Sequence, residues 1–204
     1  MPSTLRGIVL ITMSATVFAG VDGFSKVLAD SQSVWQIVWA RYAIALPLIL
    51  LLTPAADRRA LFRTANPGPQ ILRGLMPIGV SVSMVLGVRH LPLAEATVIL
   101  FASPFAVVAL AGPLLGERVH RASWVGVGVG FAAVLLVARP GLGHVSAYAI
   151  FPLVAAAFYT FYQILTRGLA NRGEAPRTTL VWTLATGTAI ATPLAILTWA
   201  PVSL

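Results

Sequence analysis

The chain of 204 residues contains no cysteine, so disulfide bonds, thiol catalysis and cysteine-based metal sites are excluded. Charged residues are also scarce, at 10% of the sequence against about 25% in soluble domains. With 58% hydrophobic residues and a mean hydropathy of +0.88, the chain has too few polar groups for a water-covered surface. These shortages indicate a protein whose surroundings are lipid.

Acidic residues are the scarcer charged type, six against fourteen basic ones, which gives a net charge of +8. Nucleic-acid-binding proteins carry a similar excess, but in a continuous basic patch. Here the arginines stand between apolar runs instead. The sequence therefore predicts no nucleic-acid partner.

Motifs for enzymatic chemistry are missing as well. The three histidines fall in predicted loops without metal-ligand spacing, and there is no G-x-S-x-G motif. The run GVGVG follows no strand, and GPLLGER lacks the Lys-Ser/Thr pair of a phosphate-binding loop. We therefore expect neither an enzyme nor a bound metal or cofactor.

Seven apolar runs approach or exceed the roughly 20 residues that a helix needs to cross a bilayer. They cover residues 7–28, 34–53, 74–90, 93–115, 123–138, 148–166 and 180–200. Helices are expected because lipid offers backbone groups no partners, and the runs lack the alternation of barrel strands. The first run is too long for a signal peptide and is interpreted as a retained helix. The predicted fold class is all-α, a polytopic membrane helix bundle.

Arginine placement predicts the orientation of the chain. If the chain crosses the bilayer at every run, Arg89 and Arg139 fall on one side and ten arginines on the other. The ten are Arg6, Arg58, Arg59, Arg63, Arg73, Arg118, Arg121, Arg167, Arg172 and Arg177. Cytoplasmic loops carry the excess of Lys and Arg, so we expect a cytoplasmic N-terminus and a location in the bacterial inner (plasma) membrane.

A weak internal similarity links the first two predicted helices to the last two. Residues 44–50 read IALPLIL and residues 190–197 read IATPLAIL, while FSKVLA at 24–29 is similar to LTRGLA at 165–170. This alignment sets Asp22 against Gln163. Equivalent positions are five helices apart, an odd number, so the second copy would enter from the opposite face, as in many secondary transporters.

Two longer segments carry a family resemblance. LPLAEATVILFASPFAVVALAGPLLGERV at 91–119 resembles the fourth helix of EamA-type carriers of the drug/metabolite transporter (DMT) superfamily. WVGVGVGFAAVLLVARPG at 124–141 resembles the helix that ends their first repeat, and FSK and WARYAIALPLILL in the first two helices also fit. The resemblance implies ten helices in two inverted halves, cytoplasmic termini and transport of small metabolites.

Against that pattern, the chain has a first repeat at 1–142 and two helices of a second repeat at 143–204. The resemblance thus implies a truncation after the seventh helix, with three further helices expected beyond Leu204. A dimer of seven-helix chains is the alternative. Gly126, Gly128 and Gly130 in the fifth helix include a G-x-x-x-G pair, which could support a homodimer or packing within the chain.

Four ionisable residues within or beside the apolar runs are candidate site residues: Asp22, Lys26, Arg41 and Glu95. A charge at the bilayer centre costs about 2.5–3.5 kcal/mol, so such residues are candidates for function. Asp22 shares a helix face with Lys26 and matches Arg41 in depth. These residues either line or gate the outer half of a cavity, or Asp22 and Arg41 lock two helices while Lys26 reaches the headgroups. Glu95 could instead cap its helix.

The sixth run offers a second candidate surface. Its polar face carries Tyr159, Tyr162, Gln163 and Thr166 at i, i+3, i+4 and i+7. The rings and the amide could stack on and hydrogen-bond a small solute, although tyrosines also belong in interfacial belts. Further predicted lining residues are Ser81 and Met84 in the third run and Thr97 and Phe101 in the fourth.

As a whole, the sequence predicts secondary transport of a small metabolite by alternating access between half-bundles. Asp22 is the candidate coupling site for a proton or cation, and Arg41 is its counter-charge. No ATP-binding domain is visible, so a gradient would drive transport. The alternative is a membrane protein that assembles by helix packing and transports nothing.

Overall fold

The computed structural model describes residues 3–116, 120–138 and 146–201, and the regular secondary structure among these residues is helical, with no strand. The α-helices are α1 (Ser3–Ala29), α2 (Val34–Leu52), α3 (Pro67–His90), α4 (Leu93–Leu100), α5 (Ser103–Leu115), α6 (Arg121–Ala138), α7 (Ile150–Asn171) and α8 (Pro176–Leu197). Short 3-10 turns occupy Ala60–Phe62 and Ala147–Ala149.

Six segments in the described ranges are long and apolar enough to cross a membrane, and the apolar part of α6 is shorter. One of the six is formed by α4 and α5 together, Leu93–Leu115. The predicted all-α membrane bundle is therefore confirmed. The inverted repeat and its boundary at residue 142 stay predictions, and Arg118, Arg139 and His144 lie outside the described residues.

The third helix begins earlier than its apolar run, at Pro67 rather than near residue 74. The prolines of NPGPQ predict a connector, but proline is tolerated in a first helical turn because the N–H groups there have no acceptor within the helix. Arg73, predicted to lie in a cytoplasmic connector, is consequently the seventh residue of α3 and is buried.

The fourth predicted helix, 93–115, is divided into α4 and α5. Pro104 lacks the N–H that would bond to the carbonyl of Leu100, so the helical hydrogen-bond ladder is interrupted there. Phe101 caps α4 at this break, and its side chain is 60% exposed.

The central helix is α3, which contacts α1, α2, α4, α7 and α8. Val85 and Val88 of α3 form a buried cluster with Ala96 of α4 and Ala155 of α7. A second cluster joins α2 to α8 through Val38, whose side chain is fully buried. Between membrane helices such contacts stabilise mainly through van der Waals packing.

Two glycines lie where neighbouring helices leave no room for a side chain. A Cβ added at Gly79 of α3 would lie 2.7 Å from three ring carbons of Phe158 in α7. A Cβ added at Gly187 of α8 would overlap the ring of Tyr42 in α2. Residues without a side chain let these helix backbones approach, as small residues do in membrane bundles.

Polar contacts join the helices at both ends of the bundle. At the predicted cytoplasmic end, which holds connectors 53–66 and 172–175, Trp182 donates from Nε1 to the carbonyl of Phe62 at 3.3 Å. At the opposite end, Arg89 donates to the carbonyls of Ala29 and Gln32, both at 2.8 Å. Ala29 ends α1, so Arg89 satisfies a carbonyl that has no partner within its helix.

The glycines of the fifth predicted helix lie in α6. An added Cβ would meet nothing within 4 Å at Gly126 or Gly128, whereas Gly130 lies against the ring of Phe105 in α5. Packing within the chain therefore uses Gly130. A homodimer through this helix stays a prediction.

Candidate functional site

A cavity of about 610 Å³ lies between α1, α2, α3, α4, α7 and α8. Most of its wall is formed by apolar side chains. The polar lining residues are Asp22, Arg41, Tyr42, Ser81, Tyr159, Tyr162 and Thr183. Small-molecule sites typically measure about 300–1,000 Å³ and combine apolar walls with a few polar groups.

A second depression, of about 680 Å³, lies between α3, α5 and α7. Of the described lining residues, Arg172 is the charged one, and the other side chains are apolar. Such a wall suits lipid chains. The cavity of 610 Å³ is therefore the candidate site.

Asp22 and Arg41 form an ion pair on the cavity wall. Arg41 Nη2 donates to Asp22 Oδ1 at 2.9 Å and to Ser25 Oγ at 2.6 Å. The hydroxyl of Ser25 donates its own proton to the carbonyl of Val21, which leaves the oxygen free to accept from Arg41. The Nε of Arg41 is buried without a partner among the described residues. Asp22 thus pairs across helices with Arg41, as its depth predicts.

Lys26 and Glu95 do not line the cavity. Lys26 Nζ donates to the carbonyl of Val88 in the last turn of α3, where carbonyls lack partners within the helix. Lys26 therefore binds a neighbouring helix rather than extending to the headgroups. Glu95 lies in the first turn of α4 but does not cap it, because Pro92 is the N-cap and no side chain bonds to the first amides.

The structure brings four other predicted lining residues together. Ser81 and Met84 of α3, each 7% exposed, and Tyr159 and Tyr162 of α7 all lie on the cavity wall. The two tyrosine rings have centroids 5.9 Å apart. Gln163 is not on the wall, but its Nε2 donates to the hydroxyl of Tyr159 at 3.2 Å and so orients that ring.

Thr97 and Phe101 of the fourth predicted helix lie off the cavity wall, where Leu100 is the contributing residue. Thr97 Oγ1 donates to the carbonyl of Leu93 at 2.7 Å, within its own helix. Phe101 faces outward at the break between α4 and α5. The prediction assumed one uninterrupted helix, and the break at Pro104 changes which side chains face inward.

Arg73 is a buried residue that sequence reasoning placed outside the bilayer. Its side chain is 5% exposed and joins three helices. Nε donates to Thr166 Oγ1 at 2.7 Å, and Nη2 donates to the hydroxyl of Tyr162 at 2.8 Å. Nη1 donates to the carbonyl of Thr179 at 2.9 Å and to the hydroxyl of Thr183.

The threonines around Arg73 are arranged to accept hydrogen bonds. Thr166 donates its proton to the carbonyl of Tyr162, and Thr183 donates its proton to the carbonyl of Thr179. Both oxygens therefore present lone pairs to the guanidinium. One signal for this contact is present in the sequence, because Thr166 ends the polar stripe of α7 that begins at Tyr159.

Comparison with known proteins identifies the family. The sequence profile of the EamA-like transporter family matches residues 5–139. The chain belongs to the EamA-like transporter family. The predicted resemblance is thereby confirmed, and the relatives of this EamA-like chain are membrane transporters.

Three relatives illustrate the range of the family. A pseudopaline exporter, CntI, of Pseudomonas aeruginosa is 30% identical over 189 residues, which are 92% of this chain and 66% of the exporter. A riboflavin transporter of Brucella anthropi is 32% identical over 79% of this chain and 54% of its own length. An S-adenosylmethionine uptake transporter of Rickettsia prowazekii is 24% identical over 80% and 55%. The chain thus spans between half and two thirds of these relatives. No solved structure matches it significantly.

In this EamA-like chain, Glu174 joins the two connectors at the predicted cytoplasmic end. Its Oε1 accepts from Thr64 Oγ1 at 2.7 Å, Asn66 Nδ2 at 2.8 Å and the backbone N–H of Ala65 at 3.2 Å. Its Oε2 accepts from Gln70 Nε2 at 3.3 Å. We call this set the Glu174 clasp. The bonds from Asn66 and Thr64 are the main causes that lower the pKa of the Glu174 carboxyl.

Glu174→Gln is expected to speed amide hydrogen exchange at Ala65 at neutral pH, because a neutral amide is a weaker acceptor than a carboxylate. Because folding lowers the pKa of Glu174, the clasp contributes its full stability at pH values above 4.5, the pKa of this carboxyl in the unfolded chain. That contribution is lost as the pH falls through the folded value. The exchange-rate ratio of variant to unsubstituted protein should therefore approach one in acid.

The matched control is Glu95→Gln, which changes a partly exposed carboxyl at the opposite end of the bundle. It should leave exchange at Ala65 unchanged. Equal exchange rates for the Glu174→Gln variant and the unsubstituted protein at neutral pH would contradict the clasp.

Proposed function

We propose that this chain carries a small metabolite across the bacterial inner membrane by secondary transport, with its N-terminus in the cytoplasm. The observation that carries the proposal is the cavity between the helices, about 610 Å³ in volume, with polar groups on an otherwise apolar wall. A cavity of this size and composition suits a small organic solute.

Contacts at the two ends of the bundle support alternating access as the mechanism. The Glu174 clasp joins the connectors at the predicted cytoplasmic end, and Lys26 and Arg89 join α1 to α3 at the opposite end. Each set relies on a few hydrogen bonds rather than on a large apolar interface. Transport then requires that one set breaks while the other holds, so that the cavity opens to one side at a time.

Asp22 is the proposed coupling site. Among the described residues it is the one carboxylate on the cavity wall, and its partner Arg41 supplies the opposite charge. Binding of a proton or cation to Asp22 would weaken this ion pair between α1 and α2. A gradient would thereby bias the position of α1. The most apolar part of this helix contains no buried residue, so few contacts hold it in place.

The relatives support transport but differ in what their names say they carry: pseudopaline, riboflavin and S-adenosylmethionine. All three names denote organic metabolites. Export and uptake both occur among them. We therefore propose an organic metabolite as the solute and derive its chemistry from the cavity.

Ala45→Phe tests whether the cavity is the transport route. Ala45 lies on the wall, and a phenyl ring there would fill part of the cavity without removing any polar group. Solute uptake by the purified protein in proteoliposomes is expected to fall at least about tenfold. A ring in the cavity that weakens the binding free energy of the solute by about 1.4 kcal/mol lowers its affinity by that factor.

The matched control is Ala132→Phe, at an exposed position of α6. It adds the same ring on the bundle surface and should leave uptake unchanged. Equal uptake by both variants would remove the cavity from the route. Folded but inactive unsubstituted protein would instead favour a protein that assembles by helix packing and transports nothing.

A further inference from the structure

Arg73 carries a buried positive charge, and none of the acidic residues that the structure describes pairs with it. Its four hydrogen bonds end on three hydroxyls and one carbonyl, all neutral. The one ion pair between described residues is that of Asp22 with Arg41. Glu174 bonds to Gln70, three residues before Arg73, but forms no ion pair with the guanidinium. A charge held in this way is costly in a membrane, so its retention requires an explanation.

Arg73 lies beneath the cavity, toward the predicted cytoplasmic end. The wall residues of α3 are Pro77, Val80, Ser81 and Met84, which follow Arg73 at i+4, i+7, i+8 and i+11. This spacing puts all of them on one helix face, with Arg73 one turn, roughly 6 Å, below Pro77. Two hydrogen-bond partners of Arg73, Tyr162 and Thr183, are themselves wall residues. Arg73 therefore lies one helical turn below the cavity and is joined to its wall through Tyr162 and Thr183.

The guanidinium has an N–H group to spare. A guanidinium has five N–H donors, and the four bonds of Arg73 use four of them. The fifth donor is on Nη2, the nitrogen that bonds to Tyr162, and no described residue accepts from it. The Tyr162 hydroxyl accepts that bond, so its own proton is also available to a solute in the cavity.

The charges around the cavity favour an anion. Arg41 lies on the cavity wall and Arg73 lies one helical turn below it, whereas Asp22 is the one carboxylate among the described wall residues. The buried Nε of Arg41 has no partner among the described residues. An N–H of a guanidinium donates a charge-assisted hydrogen bond to a carboxylate, which is stronger than a bond between neutral groups. The apolar wall and the rings of Tyr159 and Tyr162 suit an apolar or aromatic body attached to that carboxylate.

We propose that Arg73 binds the carboxylate of the transported solute, an organic acid with an apolar or aromatic body. The acid enters above Arg73 and takes the spare Nη2 donor and the Tyr162 proton. This inference rests on the proposed function, because it names the class of solute for the same cavity. Its test measures solute binding rather than flux, so the role of Arg73 and the proposed transport function can each be contradicted separately.

The test compares acids with their amides, which have nearly the same shape and differ in charge. The probes are indole-3-acetate with indole-3-acetamide, phenylacetate with phenylacetamide, and hexanoate with hexanamide, titrated against purified full chain in detergent at neutral pH. Thermal unfolding reports binding, because a ligand of the folded state raises Tm. At least one acid should bind about tenfold more tightly than its amide, as a charged hydrogen bond exceeds a neutral one by about that factor.

Arg73→Gln should abolish the preference for the acid. The matched control is Arg89→Gln, which removes another arginine with neutral carbonyl partners at the opposite end and should keep the preference. The acid-to-amide ratio of the unsubstituted protein tests the inference even when Arg73→Gln yields no folded protein.

Three results would overturn the inference: no stabilisation by any of the acids, equal binding of acids and amides, or a folded Arg73→Gln variant that keeps the preference. Acid binding through Arg73 without flux in proteoliposomes would contradict the proposed function alone. Equal flux of an acid and its amide would contradict the role of Arg73 alone.

Discussion

Replacing Asp22 with asparagine is expected to lower gradient-driven solute uptake at least about tenfold while the protein remains folded. Arg41 donates to Asp22 at 2.9 Å, and the pair is partly exposed to the cavity, with side chains 23% and 32% accessible. A hydrogen bond to a charged group contributes about 1.5–3 kcal/mol, which corresponds to about 10-fold to 150-fold in an equilibrium between two arrangements of α1 and α2.

Two assays separate coupling from structural locking. If Asp22 binds the coupling ion, Asp22→Asn loses accumulation against a gradient but still exchanges labelled for unlabelled solute across the liposome membrane. A pure lock between α1 and α2 predicts instead that the double exchange Asp22→Arg with Arg41→Asp restores accumulation, because the ion pair is rebuilt with reversed charges. Failure of that rescue, together with retained solute exchange, supports the coupling role.

The control for this prediction is Asp30→Asn, which makes the same chemical change at an exposed position in the connector between α1 and α2. It should leave accumulation unchanged. Full accumulation by the Asp22→Asn variant would contradict the coupling role of Asp22.

Gly187→Ala is expected to destabilise the protein by about 1–3 kcal/mol, the usual cost of overpacking. The added Cβ would overlap the ring of Tyr42, which is 6% exposed and lies where α2 packs on α8. Alanine favours a helix over glycine by roughly 1 kcal/mol, so a net loss would show that the steric term dominates.

Thermal unfolding in detergent measures this effect, and Gly128→Ala is the control. Gly128 lies within α6, where an added Cβ would meet nothing within 4 Å, so the helix preference of alanine acts alone and Tm should stay equal or rise. Gly187→Leu should lower Tm further than Gly187→Ala. An unchanged Tm for Gly187→Ala would mean that Tyr42 can move aside.

The sequence predicts the lining of the cavity where a helix is regular. Helical spacing and depth single out Asp22, Arg41 and the tyrosines of α7, and the structure places all of them on the cavity wall. The same reasoning misplaces Phe101, because Pro104 interrupts the helix on which the spacing depends. Periodicity therefore holds only as far as the hydrogen-bond ladder is continuous.

Other parts of the site depend on contacts that no local pattern encodes. Arg73 is counted as a connector residue because Pro67 and Pro69 resemble breakers, although they begin α3. The Glu174 clasp joins side chains about a hundred positions apart, such as Thr64 and Glu174. The partners of Arg73 and Glu174 are set by how the helices pack, and a single sequence does not predict that packing.

The contacts of Lys26 and Arg89 affect the charge that the folded chain presents to lipid. Both cations are at the end predicted to lie outside, yet they donate to the backbone carbonyls of Val88, Ala29 and Gln32. They are therefore held back from the phosphates of the outer leaflet. The charge asymmetry that the folded chain presents to the lipid headgroups is therefore larger than a count of basic residues on each side suggests.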